Sequence, residues 1–280
     1  MPGIRVVTDS SSDLPTALAA QHGIEVVPLT IRFGEEELVD GKDLTPSQFW
    51  ARCARSPVLP ETAAPAPGAF EAVFRRLAGE GADGIVCVNI SSRLSATMQS
   101  AQLAAEAVSS DIPVRVIDSC FASLGQGLMA LAAARMAAQG KGIDDVAGTV
   151  EDLVPRTRLL AVLDTLENLK KGGRIGGAQA FIGTMLAIKP VIQVVDGAVE
   201  QESKQRTRSR SLRYLADKVK GFAPVESLAV MHGDAPDLDE MLDLLDTITP
   251  RADILVGDIG AVIGTHAGPR AIGVTFHTSR

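Results

Sequence analysis

The chain has 280 residues, of which 46% are hydrophobic and 22% charged, and its formal net charge is −7. This length allows one large or two medium domains with a sizeable buried core. The acidic balance and an aromatic content of only 4% argue against a nucleic-acid partner. The three cysteines, Cys53, Cys87 and Cys120, form no CxxC pair, so we expect neither a disulfide framework nor a structural zinc site.

The apolar segments predict a cytoplasmic protein. The first residues lead directly into a strand pattern and lack the basic and apolar regions of a signal peptide. The two longest apolar runs, residues 128–138 and 181–195, are interrupted by Arg135 and Lys189. Neither run reaches the roughly 20 apolar residues that a membrane span needs. We therefore expect at most transient contact with a membrane.

The first half of the chain alternates between strand and helix patterns. Continuous apolar runs predict strands that are buried on both faces, at residues 4–8, 24–33, 84–90 and 114–118, with a hairpin arm at 34–39. Caps and apolar faces predict helices that begin near Ser12, Thr45, Phe70, Ser95, Leu124 and Ile143. The alternation predicts a parallel sheet with helices on both faces.

The pattern changes near Pro155. Short strands are predicted at residues 159–163, 227–231, 254–257, 262–264 and 272–276, and helices at 166–171, 211–219 and 238–248. A hairpin is predicted around Asp196-Gly197, because Asp-Gly favours a type I′ turn. The fold class is therefore α/β, with an N-terminal three-layer α/β/α domain (1–155) on a mostly parallel sheet and a smaller α+β domain (156–280) on a mixed sheet.

Hydroxyl-rich turns follow the strands of the first half. Residues 9–13 follow the first strand, 91–97 the third, and Asp118-Ser119 the fourth, while the Pro/Ala loop at 57–67 adds Thr62. Ligands of parallel sheets bind at the carboxyl ends of the strands, and helix N-termini there offer free N–H groups. This edge suits an anion, although each turn alone is also what helix capping produces. We expect residues 10–12 to act as a cap.

The second half adds cationic and imidazole groups. Arg174 lies in a glycine-rich loop and His266 in a turn of small residues. Arg206, Arg210 and Arg213 are predicted to share one helix face, which is either a solvated surface or a dock for an anionic partner. The sequence contains no Walker, GxSxG or HExxH motif, so we expect neither a metal nor a cofactor.

Six segments in this order resemble the DegV family of bacterial fatty-acid-binding proteins. They are residues 8–13, 62–67, 91–97, 116–119, 169–175 and 263–269. The resemblance spans nearly the whole chain. It implies that the N-terminal domain holds the acyl chain of a long-chain fatty acid, and that the smaller domain covers its head group.

The resemblance also implies roles for individual residues. Thr62, Ser92 and Ser95 would hydrogen-bond the carboxylate, and Arg174 and His266 would lie beside it.

A further arginine, Arg206, matches a family residue associated with phosphoryl transfer or partner contact. The candidates for a catalytic role are therefore Arg174, Arg206 and His266. In some members a separate kinase subunit phosphorylates the bound acid, and an acyltransferase of phospholipid synthesis receives the acyl phosphate. The resemblance thus implies a binding subunit or carrier that performs no chemistry alone.

The sequence departs from the family pattern in three places. Ala63 and Ala64 replace two polar residues, Ala96 replaces a glycine, and Arg270 adds a charge after Gly268-Pro269. These departures concern the identity of the head group and the coupling to a kinase more than the binding of lipid.

Two other interpretations stay open. One is an enzyme that acts on another small anionic substrate, with His266 as acid or base and Arg174 as electrophile. The other is a ligand-sensing interaction protein that uses the arginine face at residues 206–213.

Overall fold

The computed structural model describes residues 3–56, 58–181 and 188–279. Part of the apolar run at 181–195 therefore lies outside the described residues. In chain order the strands are β1 Ile4–Asp9, β2 Ile24–Val27, β3 Thr30–Phe33, β4 Glu36–Val39, β5 Glu61–Ala63, β6 Gly84–Asn89, β7 Val114–Asp118, β8 Thr157–Val162, β9 Lys189–Val195, β10 Ala198–Gln205, β11 Val225–His232, β12 Leu255–Asp258 and β13 Ile272–Thr278. The helices are α1 Thr16–Gln21, α2 Pro46–Cys53, α3 Pro67–Gly79, α4 Thr97–Ala107, α5 Leu124–Ala138, α6 Ile143–Arg156, α7 Glu167–Lys171, α8 Arg208–Gly221, α9 Leu238–Leu245 and α10 Ala261–Ala267.

The first sheet has four parallel strands in the order β2-β1-β6-β7. Its central strand β6 is buried at every position, as its continuous apolar sequence predicts. Successive side chains of a strand point to opposite faces. Val7 and Cys87 accordingly pack with α3 and α4, whereas Val6 and Val86 pack with α5 and α6. The predicted three-layer α/β/α arrangement is confirmed.

The second sheet has six strands in the order β10-β9-β8-β13-β11-β12. Neighbouring strands in this sheet pair antiparallel, except that β11 and β12 pair parallel. The sheet is therefore mixed, as predicted. One face, with Leu160 and Val162, packs on α8 and α9. The other face, with Leu159 and Met231, joins the same core as α5. The division into domains at residue 155 stays a prediction.

A third, small sheet contains the predicted hairpin arm, β3 and β4, and one strand that was not predicted. It has the antiparallel order β4-β3-β5, and its edge strand β5 forms within the loop expected at 57–67. The strand expected at 24–33 is also divided, because Pro28 has no N–H for a ladder bond and separates β2 from β3. The pairing of Ile31 with Thr62 fixes Thr62 in a sheet.

Three local predictions were wrong. The strand predicted at 262–264 is part of the helix α10, whose first N–H groups are satisfied by buried carboxylates described below. Ser12 does not cap α1, since Asp9 caps a short 3-10 turn at Ser10–Ser12 and α1 begins after Pro15. Arg206 precedes α8, which Thr207 caps, so it does not share a helix face with Arg210. Among the described helices, none is long and apolar enough to span a membrane.

Candidate ligand cavity

A cavity of about 220 Å³ lies between the carboxyl edge of the first sheet and the inner face of the second. Most of its wall is apolar and comes from both sheets and from α10, including Leu29, Ile90, Leu159, Leu163, Ile192, Val194, Met231, Ile259, Val262 and Ile263. Its described lining includes five polar side chains: Thr62, Ser95, Ser123, Arg174 and His266. It includes no carboxylate.

Thr62 and His266 meet at one end of this cavity although 204 residues separate them. The Thr62 Oγ1 atom of β5 lies 3.1 Å from the Nε2 atom of His266, in the last turn of α10. Burial, together with the nearby charge of Arg174, lowers the pKa of His266 to about 4. The imidazole is therefore neutral near pH 7.

The tautomer of His266 follows from its surroundings. Its Nδ1 atom is buried and has no hydrogen-bond partner among the described residues. We assign the proton to Nε2, because an unpartnered lone pair is less unusual than a buried N–H without an acceptor. His266 then donates to Thr62, and the hydroxyl hydrogen of Thr62 is free for a ligand oxygen.

A glycine in α7's C-terminal turn makes room for this imidazole. A β-carbon at Gly172 would collide with the Nδ1 atom of His266. In the sequence, the glycines of this loop stand out only as neighbours of Arg174. The pair Gly172-Gly173 indicates that a neighbouring group approaches the backbone closely. The residues around this pair do not show that the neighbour is His266.

Arg174 is held between two backbone carbonyls. Its Nε atom donates to the oxygen of Leu94 at 3.0 Å, and its guanidinium also donates to the oxygen of Gly172 at 2.6 Å. These bonds tie the glycine-rich loop to the hydroxyl-rich turn after β6. They also hold the guanidinium of Arg174 near Ser95, the residue that follows Leu94.

Ser95 stands just before the N-terminus of α4. Its hydroxyl lies 2.8 Å from the hydroxyl of Thr97 and accepts the Thr97 N–H at 3.2 Å. The N-terminal end of a helix of this length carries a partial positive charge. One cation, two hydroxyls and a neutral imidazole therefore border the cavity without a competing carboxylate. This end suits an anionic head, and the remaining wall suits an apolar tail.

The polar end also faces the surface. A separate cleft of about 530 Å³ is lined by the same Thr62, Arg174 and His266, and by Lys171 and the exposed Val58. The head-group residues can therefore be approached from outside as well as from within the cavity.

Two predicted site residues lie elsewhere. Ser92 is exposed, is absent from the cavity lining, and donates its N–H to the carboxylate of Asp118 at 3.2–3.3 Å. Arg206 is exposed beyond the end of β10 and is also absent from that lining. The structure thus brings together Thr62, Ser95, Arg174 and His266, but neither Ser92 nor Arg206.

Two buried carboxylates that were not predicted as site residues hold the N-terminus of α10. Asp13 accepts the N–H of Gly260 at 2.9 Å and the hydroxyl of Ser123 at 2.5 Å. Asp40 accepts the N–H of Ala261. Burial raises the pKa of Asp13 to about 8 and that of Asp40 to about 6. These carboxylates therefore position the helix that carries His266.

Several known proteins are similar to this chain over nearly its full length. A DegV domain-containing protein of Streptomyces coelicolor is 40% identical, with 97% of each chain covered. Among solved structures, a fatty-acid-binding DegV family protein from Thermus thermophilus has a TM-score of 0.91 and 33% identity, covering 99% of this chain and 100% of its own.

Two further structures extend the comparison. DegV from Bacillus subtilis, a fatty acid binding protein, has a TM-score of 0.87 and 30% identity, with 99% of each chain covered. A stearic acid-binding protein from Eubacterium ventriosum has a TM-score of 0.87 and 26% identity, with 98% of each chain covered. The model of the DegV family matches residues 3–279. Its four-stranded parallel sheet, its mixed second sheet and the cavity between them agree with this match, and the chain belongs to the DegV family.

Proposed function

We propose that this protein binds a long-chain fatty acid, with its acyl chain in the cavity and its carboxylate at Thr62, Ser95, Arg174 and His266. The observation that carries the proposal is the segregation of these four polar groups at one end of an otherwise mostly apolar cavity. The fatty acid binding of the solved relatives supports it.

The free energies of burial favour an apolar wall for the acyl chain and polar partners for the carboxylate. Burial of each CH₂ group contributes about 0.8 kcal/mol, so a sixteen-carbon chain gains roughly 12 kcal/mol at most before ordering and association costs. A buried carboxylate without partners costs several kcal/mol. Charge-assisted bonds from Arg174 and hydroxyl donors at Thr62 and Ser95 offset that cost.

Native mass spectrometry of the purified protein tests the proposal directly. We expect a co-purified acid of fourteen to eighteen carbons. The double variant Thr62→Val with Ser95→Ala removes two hydroxyls and nearly preserves side-chain shape, and we expect its dissociation constant for palmitate to rise at least tenfold. Ser92→Ala is the matched control, because this exposed serine lies outside the cavity. Equal affinities of the double variant and wild type would overturn the assignment.

We further propose that the protein acts in the cytoplasm as a carrier that presents the bound acid to a separate kinase subunit. The cleft that reaches Thr62, Arg174 and His266 from outside supports this step, because a phosphoryl donor needs access to the carboxylate. Acyl phosphate formed only when a fatty acid kinase subunit and ATP are both added would support the carrier. If the Arg206→Ala variant still supported acyl phosphate formation, Arg206 would not be required for this step.

The alternative of an enzyme acting through His266 has less support. General acid–base catalysis works best when the pKa of the group lies near the working pH. The pKa of His266 is lowered to about 4, and its described surroundings offer Arg174 rather than a carboxylate to stabilise a charged imidazole.

A further inference from the structure

The cavity has a fifth polar side chain that the head-group cluster does not use. Ser123 lines the cavity, but its hydroxyl is bound to Asp13 and not to Thr62, Ser95, Arg174 or His266. Its N–H donates to the carbonyl oxygen of Ser11 at 2.8 Å. Ser123 is therefore anchored by the turn after β1.

Helix α10 gives a scale for the separation between Ser123 and the head-group cluster. Asp13 accepts from Gly260, at the N-terminus of this helix, and His266 lies six residues later. At a rise of about 1.5 Å per residue, Gly260 and His266 are about 9 Å apart along the helix axis, and Ser123 joins the Gly260 end through Asp13. Val262 and Ile263 between them line the cavity, so the cavity follows the helix from one point to the other.

The backbone at Ser123 suits glycine better than serine. Its φ is 53° and its ψ is −147°, a conformation that side chains with a β-carbon rarely adopt. Conformations of this kind are strained and are found more often at binding sites than elsewhere. Serine at this position supplies a hydroxyl that glycine would lack; this hydroxyl bonds Asp13, and the residue lines the cavity.

The hydroxyl also retains hydrogen-bonding capacity. A serine hydroxyl has one donor and two acceptor sites, and the bond to Asp13 occupies one of them. If Ser123 donates to Asp13, it can accept from a ligand; if protonated Asp13 donates to Ser123, the serine can donate to a ligand. A ligand hydroxyl, which is both donor and acceptor, matches either arrangement.

We propose that Ser123 is a second recognition point in the cavity, which accommodates an acyl chain carrying a hydroxyl group in its interior. This inference rests on the proposed fatty-acid function and specifies its ligand class. An extended chain with C–C bonds of about 1.5 Å advances about 1.3 Å along its axis per bond, so 9 Å corresponds to about seven carbons beyond the carboxylate. A hydroxyl near mid-chain reaches Ser123, whereas a hydroxyl next to the carboxylate does not.

The test compares stearate with stearates hydroxylated at successive mid-chain carbons and with 2-hydroxystearate. Affinities are measured by titration calorimetry for wild type, Ser123→Ala and Ser123→Gly. We expect wild type to bind the best mid-chain isomer within about threefold of stearate. In both variants we expect that isomer to bind about tenfold more weakly than stearate, since its buried hydroxyl loses its partner. The ratio of the affinity for the 2-hydroxy acid to the affinity for stearate should be the same in all three proteins.

The outcomes separate this inference from the proposed function. Ser123→Gly guards against misfolding, because glycine adopts a positive φ without strain. Tight stearate binding by all three proteins, with no isomer that distinguishes wild type from the variants, would overturn the role of Ser123 and leave the fatty-acid function intact. Failure of wild type to bind stearate or any other long-chain acid would instead overturn the proposed function itself.

Discussion

Replacing Asp13 by asparagine should reduce the loss of folding stability as the pH rises. Asp13 is buried, and its pKa is raised from 3.8 to about 8, first of all by burial. The folded state therefore holds a proton that the unfolded state releases near pH 4. The stabilisation that this proton provides is complete below about pH 4 and is lost as the pH rises through about 8.

The magnitude follows from the linkage relation. Between about pH 5 and pH 7, one such group lowers the free energy of unfolding by up to about 1.4 kcal/mol per pH unit. In Asp13→Asn, the amide oxygen can accept the Gly260 N–H and the amide nitrogen can donate to Ser123, so both bonds of the protonated acid are kept. The variant should gain stability over wild type by about 1 kcal/mol for each pH unit in this range.

Urea unfolding at a series of pH values measures this difference. The single tryptophan, Trp50, reports on this region, since it is buried and donates to the carbonyl oxygen of Ile259 at 3.1 Å. Asp83→Asn, at an exposed carboxylate, serves as the control and should leave the pH dependence unchanged. If the curves of wild type and Asp13→Asn against pH were parallel, Asp13 would not hold the proton and the reasoning would be refuted.

Three further variants probe the cavity and its supports. Gly172→Ala displaces His266 and should weaken palmitate binding about tenfold by calorimetry while the melting temperature changes little; unchanged affinity would contradict the packing of that imidazole. Arg174→Leu removes the cavity's cation and should raise the dissociation constant of palmitate at least tenfold but that of the uncharged methyl ester much less; equal effects on both would count against a carboxylate contact. Gly264→Ala places a methyl group against Trp50 and should destabilise the fold by about 1–3 kcal/mol in urea unfolding; wild-type stability would contradict this close approach.

The architecture was predictable because its signals are local. The continuous apolar run of β6 and the caps of α2 are readable over a few residues, and Asp196-Gly197 adopts the positive φ angles expected of its turn. β5 escaped prediction because three residues within a proline-rich loop become a strand only through their pairing with β3. Helix α10 was not predicted because its β-branched residues favour a strand. The acids that hold its N-terminus lie more than 200 residues earlier in the chain, so they give no local signal.

The candidate site was predictable only in part. Thr62, Ser95, Arg174 and His266 were selected one by one, from turns and from family segments, and the structure brings them to one end of the cavity. The same family segment selected Ser92 together with Ser95, yet Ser92 is exposed and absent from the cavity lining. Whether a turn residue faces inward depends on backbone angles that composition does not specify.

Helix α5 has a consequence for how the chain folds during synthesis. Most of its residues are buried, and its apolar positions lie on all sides, because it is covered by the first sheet on one side and by the second on the other. Leu124 lies against the position of Gly257, and Gly125 against Leu159. While the chain emerges, α5 is complete more than a hundred residues before the last of these partners. A fragment ending at residue 155 should therefore expose an apolar helix face, bind hydrophobic dyes and aggregate, whereas the complete chain buries that face in one shared core.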